Sequence, residues 1–401
     1  MRLVLHARSR LFAAALLIAG TLATATSAAP AYAADPLGGP ALGSTGVVAD
    51  RSAGMPALPA AVTAEGWLVA DLDTGAVIAA RNPHGKFLPA STLKTLTALV
   101  LLPRLSPTRL VKPSQAAANI GGTKVGIKPG FPVTIDLLFT GMLIYSGNDT
   151  ATALAQAAGG EPATVALMNA EAKRIQANDT LAVNVTGLDA TAQYSSPYDL
   201  ALMGRAALKI DAYKHYTAIK KAMVPAPTGS FEIANKNALL YNYPGTFGGK
   251  TGGTTKALQT YIGYAERGGH RLVVTIMKTH HWRTEAPMLL DYGFAADGVV
   301  TPVGQLVPTL DEIAAGVPSA STTAAAGSTA ATAAPAGAVA AKKKHKSIVR
   351  LPSIGLHFRW WYAAVAGVVA ALLTIGFGWR ARRRRRHGFY ARQTKLRLPV
   401  R

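Results

Sequence analysis

Pro89-Ala90-Ser91-Thr92-Leu93-Lys94 is followed by an apolar run, Leu96, Ala98, Leu99, Val100, Leu101 and Leu102, which Pro103 closes. The run has the length and composition of one short buried helix. Residues three apart share a helix face, so Ser91 and Lys94 meet one turn apart. Ser91 falls in the first turn, where free N–H groups and the positive end of the helix dipole favour a developing negative charge. Lys94 sits on an otherwise apolar helix, and burial there disfavours its charged form and makes it a base for the serine hydroxyl. The same residues also fit a plain core helix capped by Ser91, with Lys94 reaching to solvent. The downstream sequence separates the two readings.

The chain has 401 residues and a formal net charge of +22. That charge does not point to nucleic acid, because it sits at the ends. Arg2, Arg8 and Arg10 open the chain, and sixteen basic residues lie from Lys342 to Arg401, where no acidic residue occurs. The rest holds 23 basic residues against 20 acidic ones. There is no cysteine, which excludes disulfides and thiolate metal sites. The nine histidines show no ligand spacing, and His280 and His281 as strand neighbours point apart. No metal and no cofactor are expected.

Residues 1–34 read as a secretory signal: a basic start, the apolar run Leu11 to Ala19, and small residues ending in Ala31-Tyr32-Ala33. Residues 35–60, rich in Gly, Pro and Ala, read as a loose leader, and the expected folded domain is 61–315. Gly66 to Asp71 and Ala76 to Ala80 form a hairpin around Asp73-Thr74-Gly75. Helical patterns with loops then run to about Pro225. They include Ile135 to Tyr145, Ala151 to Ala158, Ala163 to Ile175 and a helix opened by Ser196-Pro197. Strands return at Thr246 to Lys250, Gln259 to Ala265 and Arg271 to Met277, with Gly268-Gly269 as a turn, and a short helix from Ala286 to Phe294 follows. This order predicts an α/β (α+β) fold: a mainly antiparallel five-stranded sheet flanked by helices, plus a helical lobe.

Residues 316–350 read as an Ala/Thr-rich linker with a basic end. Trp360 to Trp379 is an uncharged apolar stretch long enough to cross a membrane, with Trp360, Trp361, Tyr362 and Trp379 at its ends. The arginines at 380 and 382–386 open a basic tail, 380–401, and place it in the cytoplasm. The expectation is a single-pass membrane protein whose folded domain lies outside the cytoplasm.

Two further motifs bear on chemistry. Ser146-Gly147-Asn148 follows the apolar Gly141 to Tyr145, and its side chains can relay a proton and hold a substrate amide. A helix N-cap is the plainer reading of that motif alone. Gly248-Gly249-Lys250-Thr251-Gly252-Gly253-Thr254 lets a second backbone approach closely, so an extended peptide pairs along it while Lys250 and the threonines hold a carboxylate. It is not a phosphate loop, because Gly245 to Lys250 has only three residues between its glycines and antiparallel strands follow it.

Taken together and in this order, Ser-x-x-Lys, Ser-x-Asn and Lys-Thr-Gly resemble the penicillin-recognising serine enzymes. The chain is most similar to the D-alanyl-D-alanine carboxypeptidases of peptidase family S11, over about Gly66 to Phe294. Blocks at Gly187-Leu188-Asp189, Tyr198-Asp199-Leu200 and Asn237-Ala238-Leu239-Leu240 add to the likeness. The resemblance implies a β-lactamase/transpeptidase-like fold, peptidoglycan stem peptides and β-lactams as ligands, and release of a terminal D-alanine. It implies Ser91 as the acylated nucleophile, Lys94 as its base, Ser146 as a proton shuttle, and Asn148, Lys250 and Thr251 as substrate-binding. The N–H groups of Ser91 and Gly253 would form the oxyanion hole, and Arg283 stands near the place of a carboxylate-binding arginine. His280-His281-Trp282 departs from the usual pattern there, and a spanning helix replaces the family's amphipathic anchor.

Two alternatives define the test. A β-lactamase of the glutamate-using kind needs a Glu between the second and third motifs, and none occurs between Glu171 and Glu232. A silent peptidoglycan-binding protein would have lost one of the motif residues, and all are present.

Overall fold

The computed structural model describes residues 36–316. The segments read as signal peptide (1–34), membrane span (360–379) and basic tail (380–401), and all of the linker but its first residue, lie outside the described residues. Among the described residues no helix is long and apolar enough to cross a membrane.

The hairpin predicted at the start of the domain is present, as β2 (Gly66–Asp71) and β3 (Ala76–Arg81). A short strand precedes it, β1 (Val47–Ala49), and four follow late in the chain: β4 (Thr246–Thr254), β5 (Leu258–Arg267), β6 (His270–Thr279) and β7 (Gly304–Gln305). They form one seven-stranded sheet in the order β1-β3-β2-β6-β5-β4, with β7 also on β3. Every pairing is antiparallel.

Two expectations are corrected here. The sheet has seven strands rather than five, because β1 and β7 lie end to end on the outer edge of β3: Val47 opposes Arg81 and Gly304 opposes Val77. Both are too short for a periodicity of two to register in sequence. The stretch 35–60 is not wholly a loose leader, since it supplies β1 and a helical turn, Pro40–Gly43, whose Leu42 is completely buried. The partners that order it are remote in sequence, and its own composition gives no sign of them.

Both faces of the sheet are covered, which is why β2 reads as an unbroken apolar run. Leu68 and Ala70 face one core together with Ile262, Tyr264 and Val273. Trp67 and Val69 face the other together with Tyr261, Leu272 and Val274. The second face is covered by helix 282–296, which starts four residues before the predicted helix. Its Trp282 stacks on Tyr261 at 4.3 Å. Burying Leu289 and Leu290 on the same face stabilises this layer by about 2 kcal/mol per side chain.

The helical part lies between β3 and β4 in the chain. The predicted opening helix begins as a 3-10 turn, Ala90–Leu93, and continues as α1 (Lys94–Leu101). All of α1 is buried, as its apolar run requires. α2 (Ile135–Ile144) opens with the Thr134 hydroxyl accepting from the N–H of Leu137. α3 (Asn148–Ala157), α4 (Glu161–Arg174) and α5 (Pro197–Ala207) follow, the last capped by Ser196 as its Ser-Pro start predicts. The late helix over the other face is α6 (Trp282–Ala296).

Candidate active site

The three motifs converge on one cleft between the α1 end of the helical part and edge strand β4. Ser91 sits in the 3-10 turn and Lys94 opens α1, with Lys94 Nζ 2.9 Å from Ser91 Oγ. Lys94 is completely buried. Its nitrogen has two further partners, Asn148 Oδ1 at 2.7 Å and the Thr186 carbonyl at 2.5 Å. Burial pushes the Lys94 ammonium well below the usual lysine range, the charges of Lys250 and Lys236 push it the same way, and Asp149 opposes them.

The three contacts fix the role of a neutral amine. Its two N–H bonds go to the two carbonyl oxygens, which can only accept. Its lone pair is then left for the Ser91 hydroxyl. Asn148 is oriented for this by its own amide, whose Nδ2 donates to the Gly121 carbonyl at 2.7 Å. The loop carrying Gly121 is pinned by the buried Asp149 carboxylate. That carboxylate accepts from the N–H groups of Val125, Gly126 and Ile127 at 2.9, 2.7 and 3.2 Å.

Ser146 and Lys250 make a second pair. Lys250 Nζ lies 2.9 Å from Ser146 Oγ and 2.7 Å from the Thr251 carbonyl. Burial, and then the charge of Lys236, lower Lys250 to about 7. Ser146 has a left-handed backbone, φ 67°, in the turn between α2 and α3, and Ala90 has φ 47° beside the nucleophile. Each non-glycine residue in that region stores on the order of 1 kcal/mol or more, held in place by its surroundings.

Two glycines permit the close approaches. A Cβ on Gly252 would stand 2.8 Å from the Ser91 nitrogen, so β4 reaches the nucleophile only because that residue has no side chain. A Cβ on Gly187, where φ is +79°, would fall 1.8 Å from the Ala90 carbonyl oxygen. Gly187 follows Thr186, so this contact seats the carbonyl that holds Lys94. The loop is fixed by Asn184, whose Oδ1 accepts from the N–H of Gly187 at 2.8 Å and whose Nδ2 donates to the Leu188 carbonyl at 2.8 Å.

The cleft measures about 520 Å³, and Ser91, Asn148 and Gly253 line it, as do Leu188, Asp189 and Thr254. Of the residues singled out in the sequence, Ser91, Lys94, Ser146, Asn148, Lys250, Thr251 and Gly253 are thus drawn together. Arg283, like Lys94, Ser146, Lys250 and Thr251, is not among the residues that line this cavity. It is exposed on the first turn of α6, with its guanidinium 5.0 Å from the Trp282 ring centroid. Trp282 must point inward to stack on Tyr261, which turns the next helical residue away.

Sequence reasoning missed Lys236, Asp149 and the carbonyls of Thr186 and Gly121. Lys236 donates its N–H to the Ile144 carbonyl at 2.9 Å, and its Nζ lies 4.5 Å from the Tyr145 ring centroid, beside Ser146. Its signal was its place next to the Asn237 block. Carbonyl ligands carry no signal in residue identity.

In a larger groove of about 700 Å³ between the N-terminal arm and Trp67, the Ser52 hydroxyl donates to Asp50 Oδ1 at 2.6 Å, a local contact two residues apart that its backbone N–H shares at 2.9 Å, as in a turn. At the end of the sheet away from Ser91, Asp71, His270 and Asp297 bring potential ligand atoms within 4.8 Å of one another. Thr74 donating to Asp71, and His270 lying 3.0 Å from Asp297, account for that cluster without an ion.

Residues 53–281 match the family profile of the D-alanyl-D-alanine carboxypeptidases, peptidase S11. The carboxypeptidase DacB2 of Mycobacterium tuberculosis is 41% identical over 241 residues, covering 58% of this chain and 82% of the relative. DacF of Bacillus subtilis is 30% identical, with 58% of this chain and 62% of the relative covered. Among solved structures, a D-alanyl-D-alanine carboxypeptidase from Mycobacterium tuberculosis superposes with a TM-score of 0.61 at 39% identity, over 64% of this chain and 99% of the other. The Streptomyces K15 DD-transpeptidase gives 0.56 at 25% identity, over 60% and 99%.

Proposed function

The chain belongs to the peptidase S11 family of D-alanyl-D-alanine carboxypeptidases, serine hydrolases that work through an acyl-enzyme, and from that premise we propose that Ser91 is the residue acylated by the penultimate D-alanine of peptidoglycan stem peptides. The observation that carries this reading is the buried Lys94 amine, whose Nζ lies 2.9 Å from Ser91 Oγ and is held by the Asn148 and Thr186 carbonyl oxygens at 2.7 and 2.5 Å. The Ser91 proton passes to Lys94 as Oγ attacks the carbonyl carbon. The oxyanion is met by the N–H groups of Ser91 and Gly253, donors that typically contribute about 3 kcal/mol each. The C–N bond then breaks, and the departing D-alanine amine takes the proton that Lys94 received, relayed through the Ser146 hydroxyl that Lys250 holds. Water hydrolyses the ester and returns Ser91. Lys250 and Thr251 hold the terminal carboxylate.

The test is intact mass after incubation of the full chain with a penicillin, alongside Ser91→Ala. A long-lived adduct on the wild type alone supports the reading. Drug loss without an adduct would mean a β-lactamase, and neither adduct nor drug loss would leave a binding protein.

The same reading sets the catalytic domain outside the cytoplasmic membrane, tethered by residues 360–379. Its support is the sequence alone: the signal-like start, the apolar stretch and the arginines after it. Release of the protein from membranes by alkaline carbonate would overturn the tether.

A further inference from the structure

The cleft is electrically asymmetric along β4. Its inner end holds the positive charge, from Lys236, whose Nζ reaches Thr123 Oγ1 at 3.4 Å, and from Lys250, which at a pKa of about 7 is part-protonated near neutral pH. Its outer end holds one carboxylate, Asp189, which accepts from Thr254 Oγ1 at 2.8 Å. β4 is the edge of the sheet, so the side turned away from β5 is free to pair with an extended peptide.

This polarity sets the direction and register of a bound stem peptide. The terminal carboxylate goes to the cationic end at Lys250 and Thr251. The residues before it then run antiparallel along β4 toward Thr254. The strand passes the nucleophile at Gly252, so the residue with the scissile carbonyl lies beside Gly252 and Gly253. Successive residues of an extended chain are about 3.3 Å apart. The next residue upstream therefore lies beside Thr254 and Thr255, against Asp189.

Asp189 is held there rather than left to sweep the surface. Thr254 fixes one oxygen, while the Asn184 and Gln193 side-chain amides both donate to the Leu188 carbonyl at 2.8 Å. The other carboxylate oxygen makes no hydrogen bond, and Asp189 joins no ion pair among the described residues. Resting on the carboxypeptidase reading, we infer that Asp189 is a specificity-determining residue. It selects a cationic amine on the side chain of the residue that precedes D-alanyl-D-alanine. Stem peptides whose diamino acid still carries a free amine are the preferred substrates, and acylation of that amine, as in a cross-link, removes the preference.

Two peptides test this, Nα-acetyl-L-lysyl-D-alanyl-D-alanine with its side-chain amine either free or acetylated, with D-alanine release read as kcat/KM. Wild type is expected to favour the free amine about fivefold, the upper end of the scale for one exposed ion pair. Asp189→Asn keeps the acceptor for Thr254 and is expected to bring the ratio close to one. Raising the salt is expected to shrink the wild-type ratio, which supplies a second reading should the variant fail to fold. Equal rates on both peptides in the wild type, or an Asp189→Asn ratio equal to that of the wild type, overturns the inference. The penicillin adduct keeps the two hypotheses apart. An adduct with no amine preference sinks only this one, and no adduct with no D-alanine release sinks the carboxypeptidase reading itself.

Discussion

Ser91 and Lys94 meet at 2.9 Å within one turn of chain, whereas Ser146 and Lys250 meet at the same 2.9 Å across 104 residues. The first pair is local. Its lysine is locked by two carbonyl oxygens that both belong to the helical part, Asn148 Oδ1 and Thr186 O. The second pair is a bridge, since Ser146 closes α2 and Lys250 belongs to the sheet edge. A small shift between sheet and helices would leave the first pair intact and part the second. The two pairs therefore suit different tasks. The local pair fits a step that must be in place before substrate arrives, the activation of the nucleophile. The bridging pair fits a step that depends on substrate lying in the cleft, the handling of the leaving group and its carboxylate.

The widest separation between the pairs should come from removing each lysine. Lys94→Met takes away the base, and the rate of penicillin acylation should fall by about 10³-fold. Lys250→Met should lower the same rate by about 10²-fold, and raise KM for a D-alanyl-D-alanine peptide more than Lys94→Met does. Stopped-flow acylation and steady-state D-alanine release measure the two. Equal losses in both assays would mean that the pairs act as one unit, and the comparison would break.

Gly187→Ala attacks the support of the local pair without touching either member. The added Cβ would meet the Ala90 carbonyl at 1.8 Å, in a backbone conformation that alanine resists. The loop must retreat, and the Thr186 carbonyl goes with it. Thermal unfolding should show a loss of about 3 kcal/mol. Acylation should fall about 10²-fold even in the folded fraction, since misplacement by about an ångström is enough. Normal acylation by a destabilised but folded Gly187→Ala protein would show that Thr186 does not hold Lys94.

This difference in construction also explains what the sequence disclosed. Ser91 and Lys94 were legible because a helical spacing is a geometric statement in itself. The hairpin of β2 and β3 and the strands β5 and β6 were legible from apolar runs and the Gly268-Gly269 turn. Ser146 and Lys250 were found as motifs, but only folding joined them, and their meeting rests on packing between elements far apart in the chain. β1 and β7 are two or three residues each, too short for any period. Leu42 is buried by partners hundreds of residues away, so a stretch rich in Gly, Pro and Ala looked looser than it is.

Lys236 offers the finest probe, because it acts on both pairs by charge rather than by contact. It lowers Lys250 second to burial, and it lowers Lys94 after burial and Lys250 itself. A lysine accepts a proton only when neutral, so activity falls as the pH drops through its pKa. Removing a neighbouring positive charge makes protonation easier and raises that pKa. Lys236→Gln should therefore move the acid limb of kcat/KM to higher pH, by about half a unit for one charge at this kind of separation. Activity above the limb should change little, which distinguishes loss of charge from loss of shape. Lys236→Arg, which keeps the charge, should leave the limb near its wild-type position. A limb that stays in place in Lys236→Gln, or moves to lower pH, would mean that burial alone lowers the two amines. The bridging pair would then owe its low pKa to the same cause as the local one.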